Sequence, residues 1–359
     1  MSVFMERALE LARRGAGAVD PNPLVGAVIV RDGRIISEGW HEKFGGPHAE
    51  INAFSSLKES AEGADMYVTL EPCAHYGKTP PCAEAIVRHK LKRVYVGILD
   101  PNEKVAGKGA AILRNAGIEV NVGMMEQECR RINAVFFKHI TTGLPYVWLK
   151  WAMSLDGKTA CSTGESKWIS CGESRGAVHA LRNRLMGIMT GINTVLADDP
   201  QLTCRIEGGR DPYRIICDSK LKIPLDARVI GNDGKCIIAT VSHDAEKIKQ
   251  LTELGAEVIE TPRSEEGIDL CFLMKQLGGR GINGILAEGG GTLVFSLIKH
   301  GLADHVTAYL APMLIGGETA KTPVGGRGFL HIPNCTGLEN MHFEQCGRDI
   351  VIDADIKKG

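Results

Sequence analysis

The sequence has almost no net charge: 42 Lys and Arg stand against 43 Asp and Glu, a formal value of −1. That balance disfavours a dominant polyanion partner, because non-specific nucleic-acid binding rests on a basic excess. A local basic patch stays compatible with it. Aromatic residues are scarce at 5%, so there are few stacking platforms for unpaired bases. No apolar run approaches the roughly 20 residues that span a bilayer, so no membrane partner is expected. Short internal repeats and low-complexity segments are absent. Met1–Arg14 mixes charge and apolar groups at helical spacing, unlike a secretion signal, so a cytoplasmic chain is expected.

What is present is ordinary globular composition, 44% hydrophobic and 24% charged, which excludes long disorder. At roughly 150 residues per domain, 359 residues suggest two domains. Each is long enough to bury its own core. Glycine is abundant at 43 residues, well above the usual share of about 7%, so many tight turns or ligand-hugging loops are expected. There are 11 cysteines, an odd number. In a reducing compartment, clustered cysteines read as metal ligands or core filler before disulfides.

The first half alternates strands and helices. Phe4, Ala8, Leu11 and Ala12 share one face of an opening helix. Leu24–Val30 reads as a strand, Asp32-Gly33 as a hairpin turn and Arg34–Gly39 as the return strand. Helices are expected over His48–Lys58, Pro81–His89, Lys108–Asn115 and, as one long element, Met125–Ile140. Strands are expected over Met66–Leu70, Arg93–Ile98 and Ile118–Val122. The pattern implies a sheet with helices on both faces. Thr141-Thr142-Gly143-Leu144-Pro145 is small, polar and broken by Gly and Pro, and it divides the chain into domains 1–143 and 144–359. The second half restarts with a strand over Tyr146–Ala152, a helix over Gly172–Met186 and a strand over Gly187–Gly191. Further strands follow over Arg214–Asp218, Lys235–Val241, Ala256–Glu260, Gly284–Glu288 and Val306–Leu310, with a helix over Thr292–His300.

His48-Ala49-Glu50, then Pro72-Cys73, then Cys82 is the strongest chemical signal. One imidazole and two thiolates suit a catalytic zinc ion, one per chain, with a fourth position left for water. Such a metal makes that water a nucleophile near neutral pH. Glu50, two residues from His48, is placed to move protons to the substrate ring and the leaving amine. The order is similar to that of the zinc nucleobase deaminases, which carry H-x-E followed by P-C-x-x-C. Cys73 and Cys82 are further apart than in that pattern. Either Cys82 ligates across a longer loop or the site differs. Its place just before a helix favours a thiolate, hence the ligand reading. A structural zinc site would need a fourth protein ligand and would leave Glu50 without a task.

The run Glu71-Pro72-Cys73-Ala74-His75-Tyr76-Gly77-Lys78-Thr79-Pro80-Pro81-Cys82 resembles the bifunctional riboflavin-biosynthesis deaminase/reductases, whose Cys loop is of this longer kind. Asp20-Pro21-Asn22-Pro23-Leu24-Val25-Gly26-Ala27 and Gly45-Gly46-Pro47-His48-Ala49-Glu50 share the likeness. So do Lys150–Lys158, Ser166–Ser170 and Gly191–Pro200 in the second half. The likeness spans essentially the whole chain. It implies an α/β protein with an N-terminal cytidine-deaminase-like α/β/α sandwich and a C-terminal dihydrofolate-reductase-like α/β domain that uses NADPH. It implies that Asn22 and His41 line the deaminase pocket and that His75 and Lys78 face the sugar phosphate. Asp100-Pro101-Asn102 follows a strand end, where α/β ligand sites cluster, so Asn102 either closes the pocket or belongs to an ordinary turn. In the reductase half the likeness implies cofactor contacts from Ala152, Trp168, Thr194, Asp198, Ser219 and Gly290, Gly291, Thr292, Leu293, Val294, Phe295 and Ser296. Substrate contacts are implied for Ser166, Arg182, Leu202, Arg205 and Glu288.

Residue chemistry supports part of this carry-over. Strand Gly284–Glu288 enters three glycines and a helix, where bare backbone N–H groups can cradle phosphate. Arg182 and Arg205 are fork donors suited to a sugar phosphate. Asp198, Lys150 and Glu288 are all candidates for the proton donor of reduction. The expected substrate is a small phosphoribosylaminopyrimidine, and the resemblance implies a homo-oligomer, dimer or tetramer. Two other readings stand beside this one. A deaminase of bases in RNA would need a basic channel and stacking aromatics. A zinc-stabilised binding protein would make Glu50 dispensable.

Overall fold

The computed structural model describes residues 2–76, 80–102 and 105–358. The chain forms two compact units, Met1–Gly143 and Leu144–Gly359.

The first unit runs α1 (Ser2–Arg13), β1 (Gly26–Arg31), β2 (Arg34–Trp40), α2 (Ala49–Ser55), β3 (Asp65–Leu70), α3 (Cys82–Arg88), β4 (Arg93–Ile98), α4 (Lys108–Asn115), β5 (Glu119–Val122), α5 (Glu126–Ile132) and α6 (Ala134–Thr142). The sheet order is β2-β1-β3-β4-β5. β1 is antiparallel to β2 and β3, whereas β3, β4 and β5 are parallel. Its inner strands are near-continuous apolar runs, broken mainly at their ends by Arg31, Asp65 and Arg93, because both faces are covered. Ala27 and Ile29, Met66 and Val68, Val94 and Val96 enter one core. Their alternating neighbours Val28 and Val30, Tyr67 and Tyr95 enter the other, beneath α1, where Leu70 and Ile98 join them from the strand ends. Asp32 and Gly33 both take positive φ, 49° and 75°, as a two-residue hairpin turn requires.

Helix α2 seats directly on β2. A Cβ on Gly39 would lie 2.2 Å from Ala53 N and 2.5 Å from Ala49 O, so only glycine permits this approach. The seating fixes the start of α2 over the sheet.

The expected single helix over 125–140 is two helices. Asn133 breaks it, with φ −107° and ψ 15°. Its buried carboxamide accepts from Leu24 N at 2.8 Å and donates to Leu24 O at 2.9 Å. That pairing satisfies the backbone just ahead of β1, and it outweighs one uninterrupted helical ladder.

The second unit runs β6 (Tyr146–Ser154), α7 (Gly172–Arg184), β7 (Gly187–Gly191), α8 (Ile192–Asp198), β8 (Tyr213–Cys217), β9 (Cys236–Thr240), α9 (Ala245–Glu253), β10 (Ala256–Glu260), β11 (Arg263–Ser264), β12 (Gly267–Ile268), α10 (Leu270–Gly279), β13 (Gly284–Glu288), α11 (Gly291–Lys299), β14 (Ala303–Ala311), β15 (Leu338–Cys346) and β16 (Asp349–Ile356). Nine strands form one sheet, ordered β10-β9-β8-β7-β13-β6-β14-β16-β15. It is parallel from β10 through β14, and β16 and β15 are antiparallel. The same period-2 division holds: Met189, Ile215 and Ile237 enter one core, and Ile188, Ile216 and Ile238 the other. β13 returns between β7 and β6, so the chain reverses direction across the sheet there. In open parallel sheets, ligands gather beyond the strand carboxyl ends at such a point.

Helices α8, α9 and α10 and the closing β15–β16 pair fall outside the sequence expectation. No helix among the described residues is long and apolar enough to cross a membrane.

Candidate functional sites

In the first unit, His48 is the residue that precedes α2, with extended backbone (φ −73°, ψ 164°). Cys73 follows β3, and Cys82 is the first residue of α3. Their ligand atoms all lie within 4.8 Å of one another, and they form the one such group of three among the described residues. His48 Nδ1 is 3.6 Å from Cys73 Sγ and 3.3 Å from Cys82 Sγ. Ligands of a tetrahedral zinc ion sit about 3.6–3.8 Å apart, given Zn–S of about 2.3 Å and Zn–N of about 2.1 Å. The donor set and its spacing therefore fit zinc, with one position left for a non-protein ligand.

The Cys82 N–H donates to Cys73 Sγ at 3.2 Å. Hydrogen bonds from Cys82 and His48 hold Cys73 far below the ordinary thiol range, to about 4, against the opposing effect of burial. Its contact with Cys73, together with burial and nearby Glu50, pushes the Cys82 thiol up. A divalent cation would favour the thiolate form of both.

Glu50 lies in the first turn of α2 and is only 3% exposed. Burial, then the Cys73 charge, pushes its carboxyl up to about 7. It stands beside the ligands as a group able to carry a proton near neutrality.

Asn22 and His41 join the same site. His41 Nδ1 is 2.9 Å from Pro47 O, and its Nε2 is 3.1 Å from Asn22 Nδ2. A carbonyl only accepts, so Nδ1 carries the hydrogen and Nε2 accepts from the Asn22 amide. Burial lowers the His41 pKa, which keeps the ring neutral. Its ring meets that of His48 edge-on at 5.6 Å. His75 is exposed in the Cys loop and Asn102 is half-buried after β4. Lys78 lies outside the described residues.

The second unit holds a cleft of about 570 Å³ beyond the ends of β6 and β13. Ala152, Ser166, Trp168, Arg182, Asp198, Leu202, Arg205, Glu288, Gly290, Gly291 and Val294 line it, and so do Lys150 and His179. A smaller hollow of about 210 Å³ is lined by Thr194, Ser219, Gly290, Thr292, Leu293 and Ser296. Phe295 lines neither. It is buried, with its ring edge-on to Phe329 at 5.4 Å.

Gly289 and Gly290 take positive φ, 84° and 77°, at the start of α11. A Cβ on Gly291 would stand 2.9 Å from Thr322 O. Thr190 Oγ1 is buried without a hydrogen-bond partner, 3.9 Å from where a Gly289 Cβ would sit. This glycine cradle at a helix N-terminus, beside an unspent hydroxyl, fits the phosphates of a dinucleotide. Thr190 was not among the expected residues. It sits in an apolar strand, where one hydroxyl leaves no sequence signal.

Arg182 departs from the expected free phosphate fork. It donates from Nε and Nη2 to Glu288 at 2.7 and 2.9 Å, and from Nη1 to Thr203 O at 3.0 Å. The pair is largely buried, with side chains 14% and 12% exposed. A buried guanidinium needs its counter-charge close, and Glu288 supplies it. Arg205 remains as an exposed fork in the cleft. Burial works against ionisation of Glu288, but Arg182, Lys150 and His179 outweigh it and hold the carboxyl below its usual range. Lys150 pairs in register with Glu288 across β6 and β13. Burial lowers its ammonium pKa, with Glu288 opposing and Arg182 adding to the effect.

The profile of the cytidine and deoxycytidylate deaminase zinc-binding region matches residues 1–98, and that of the RibD C-terminal domain matches residues 145–352. Riboflavin biosynthesis protein RibD of Actinobacillus pleuropneumoniae is 45% identical over 98% of this chain and 94% of its own length. The chain belongs to the RibD family. The Escherichia coli RibD protein is 40% identical over 94% of this chain and 92% of its own. Among solved structures, Acinetobacter baumannii RibD is similar at TM-score 0.88 and 39% identity, with 99% of each chain covered. A Thermotoga maritima protein described as a diaminohydroxyphosphoribosylaminopyrimidine deaminase/5-amino-6-(5-phosphoribosylamino)uracil reductase is similar at TM-score 0.88 and 38% identity, covering 99% of this chain and 98% of its own. This RibD-family chain is thus a bifunctional enzyme of riboflavin biosynthesis, with a zinc-binding deaminase unit and an NADPH-using, dihydrofolate-reductase-like unit.

Proposed function

We infer that the chain carries out two consecutive steps on one phosphoribosylated substrate, 2,5-diamino-6-(5-phosphoribosylamino)pyrimidin-4-one. The first unit, residues 1–143, hydrolyses the ring amine to a carbonyl and releases ammonia. The second unit, residues 144–359, reduces the ribosyl side chain to ribityl. The observation that carries this reading is the presence, in one chain, of the His48–Cys73–Cys82 triangle beside buried Glu50 and of a glycine cradle beside Lys150 and Glu288.

In deamination, His48, Cys73 and Cys82 hold zinc, which when bound supplies an activated water near neutral pH. Glu50 takes the proton of the attacking water and passes it to the leaving amine. His41, locked in one tautomer, orients the Asn22 amide toward the pyrimidine. Asn102, His75 and Lys78 complete the pocket at its sugar-phosphate side.

In reduction, NADPH supplies hydride to the sugar carbon that bears the amine. Gly290, Gly291, Thr292, Leu293, Val294 and Ser296, with Thr194 and Ser219, would hold its phosphates and ribose, with Phe295 packed behind them, and Ala152, Trp168 and Asp198 would line the nicotinamide side. Ser166, Leu202 and Arg205 take the substrate, with Arg182 and Glu288 behind them. The ring oxygen freed by hydride addition needs a proton. Glu288 is held ionised by Arg182 and Asp198 is exposed, so Lys150 is the group suited to give it. The reading carries with it a cytoplasmic homo-oligomer of two or four copies.

The test is a coupled assay with this substrate, with and without NADPH, on wild type and Glu50→Ala. Ammonia release that precedes NADPH oxidation, with both lost in Glu50→Ala, supports the reading. Neither signal from zinc-loaded wild type would sink the substrate assignment.

A further inference from the structure

Glu71 lies two residues before Cys73 and is buried. Its carboxylate accepts three backbone N–H groups from another segment. Oε2 accepts from Asp100 N at 3.2 Å and from Gly107 N at 2.9 Å, and Oε1 accepts from Ala110 N at 3.0 Å. Ala110 is in the first turn of α4, so the carboxylate also caps that helix, where a negative charge is favoured. The Glu71 N–H donates to Ile98 O at 2.9 Å, which ties the residue to the end of β4.

Packing reinforces the clamp. A Cβ on Gly109 would lie 1.9 Å from Pro72 O and 3.3 Å from Glu71 Cγ. The start of α4 therefore rests on the backbone that leads into Cys73. Asp100, whose own amide is clamped, is joined to Asn102 by a bond of 2.8 Å from the Asn102 N–H to the Asp100 carboxylate.

We propose that Glu71 is a positioning residue for deamination: its carboxylate holds Asp100, with Asn102 bonded to it, and the start of α4 at Gly107 and Ala110 in register with the Pro72-Cys73 turn. It touches neither substrate nor metal. Its effect passes through the wall of the pocket, so it governs how the substrate seats. The inference rests on the deaminase reading above, because it assigns the wall to that pocket.

The test uses Glu71→Gln in the full-length, zinc-loaded chain. A carboxamide has one acceptor oxygen and must turn its NH₂ toward at least one of the three donors. The expected result is a rise of about tenfold in the deaminase KM with little change in kcat, the mark of lost substrate positioning. Zinc content should match wild type, which reports that the first unit is folded, and reduction of the already deaminated substrate by the second unit should also be unchanged. Amide hydrogen exchange at Asp100, Gly107 and Ala110 should quicken, with β3 and β4 unchanged. An unaltered KM would overturn the proposal. So would loss of zinc, which would make Glu71 a scaffold of the ligands. If Glu71→Gln does not fold, exchange in wild type decides: those three amides must be protected, and exchange at the rate of an open loop refutes the clamp. Failure of the reading itself looks different, because wild type would then release no ammonia from this substrate while the exchange result stood.

Discussion

Glu288→Gln separates the charge network of the second unit from its shape. The substitution keeps the volume and removes the charge that Arg182 and Lys150 share. Arg182 stays buried, with only Thr203 O and a neutral amide opposite its fork. Breaking a buried pair on one side costs about 3–5 kcal/mol. One acceptor survives, so the lower end, about 3 kcal/mol, is expected. At about 2–4 °C per kcal/mol for a unit of this size, the second unit should melt roughly 6–12 °C lower. The first unit provides an internal reference in the same calorimetric scan.

The pH dependence has a definite sign. The folded Glu288 carboxyl is held below its ordinary range, so its stabilisation is fully present above the unfolded value of about 4.3. It is lost as pH falls through the folded value, and wild type and variant should converge in acid. Catalysis shifts at the other end of the scale. Glu288 supports the Lys150 ammonium and Arg182 opposes it, so removing Glu288 lowers the Lys150 pKa further. The alkaline limb of the reductase pH profile should therefore move to lower pH. A melting point within about 2 °C of wild type, together with an unmoved alkaline limb, would refute both the buried pair and the role given to Lys150.

Three further outcomes follow from the geometry. Cys82→Ser should bind less than stoichiometric zinc by atomic absorption and release no ammonia, while reduction of the deaminated substrate persists; full zinc occupancy would remove Cys82 from the ligand set. Asn133→Ala leaves the backbone N–H and C=O of Leu24 without their side-chain partner and should destabilise the first unit by about 2–3 kcal/mol in urea unfolding; a loss under about 1 kcal/mol would mean that water replaces the carboxamide. Gly291→Ala places a methyl 2.9 Å from Thr322 O and should weaken NADPH binding about tenfold in a fluorescence titration, with ammonia release unchanged; wild-type affinity would move the cofactor phosphates away from this turn.

The inner strands were legible because burial on both faces leaves continuous apolar runs with little to confuse them. β4, β7 and β13 begin and end where the pattern places them, and so does the edge strand β10. The break at Asn133 was not legible. Residues 125–140 carry a helical pattern throughout, and the partner that interrupts it, Leu24, is 109 residues away. The β15–β16 pair was missed for another reason. Leu338–Cys346 is almost wholly exposed along its length, so its residues show neither alternation nor an apolar run. The metal triangle was easier because its evidence is chemical: His48, Cys73 and Cys82 are few, soft and ordered, and no packing argument asks for them together.

Arg182 shows where residue chemistry alone stops. A guanidinium is suited equally to a phosphate and to a carboxylate, and local sequence does not say which one it meets. The answer lies 106 residues on, at the carboxyl end of β13, where Glu288 takes both parallel donors. With Lys150 in register beside it, a protonated Lys150 gives the cluster two positive charges and one negative. On the proposed reading, a phosphorylated sugar would be drawn to that field without displacing Glu288 from Arg182. The fork that meets the phosphate can then be exposed Arg205, while the buried pair sets how readily Lys150 gives up its proton.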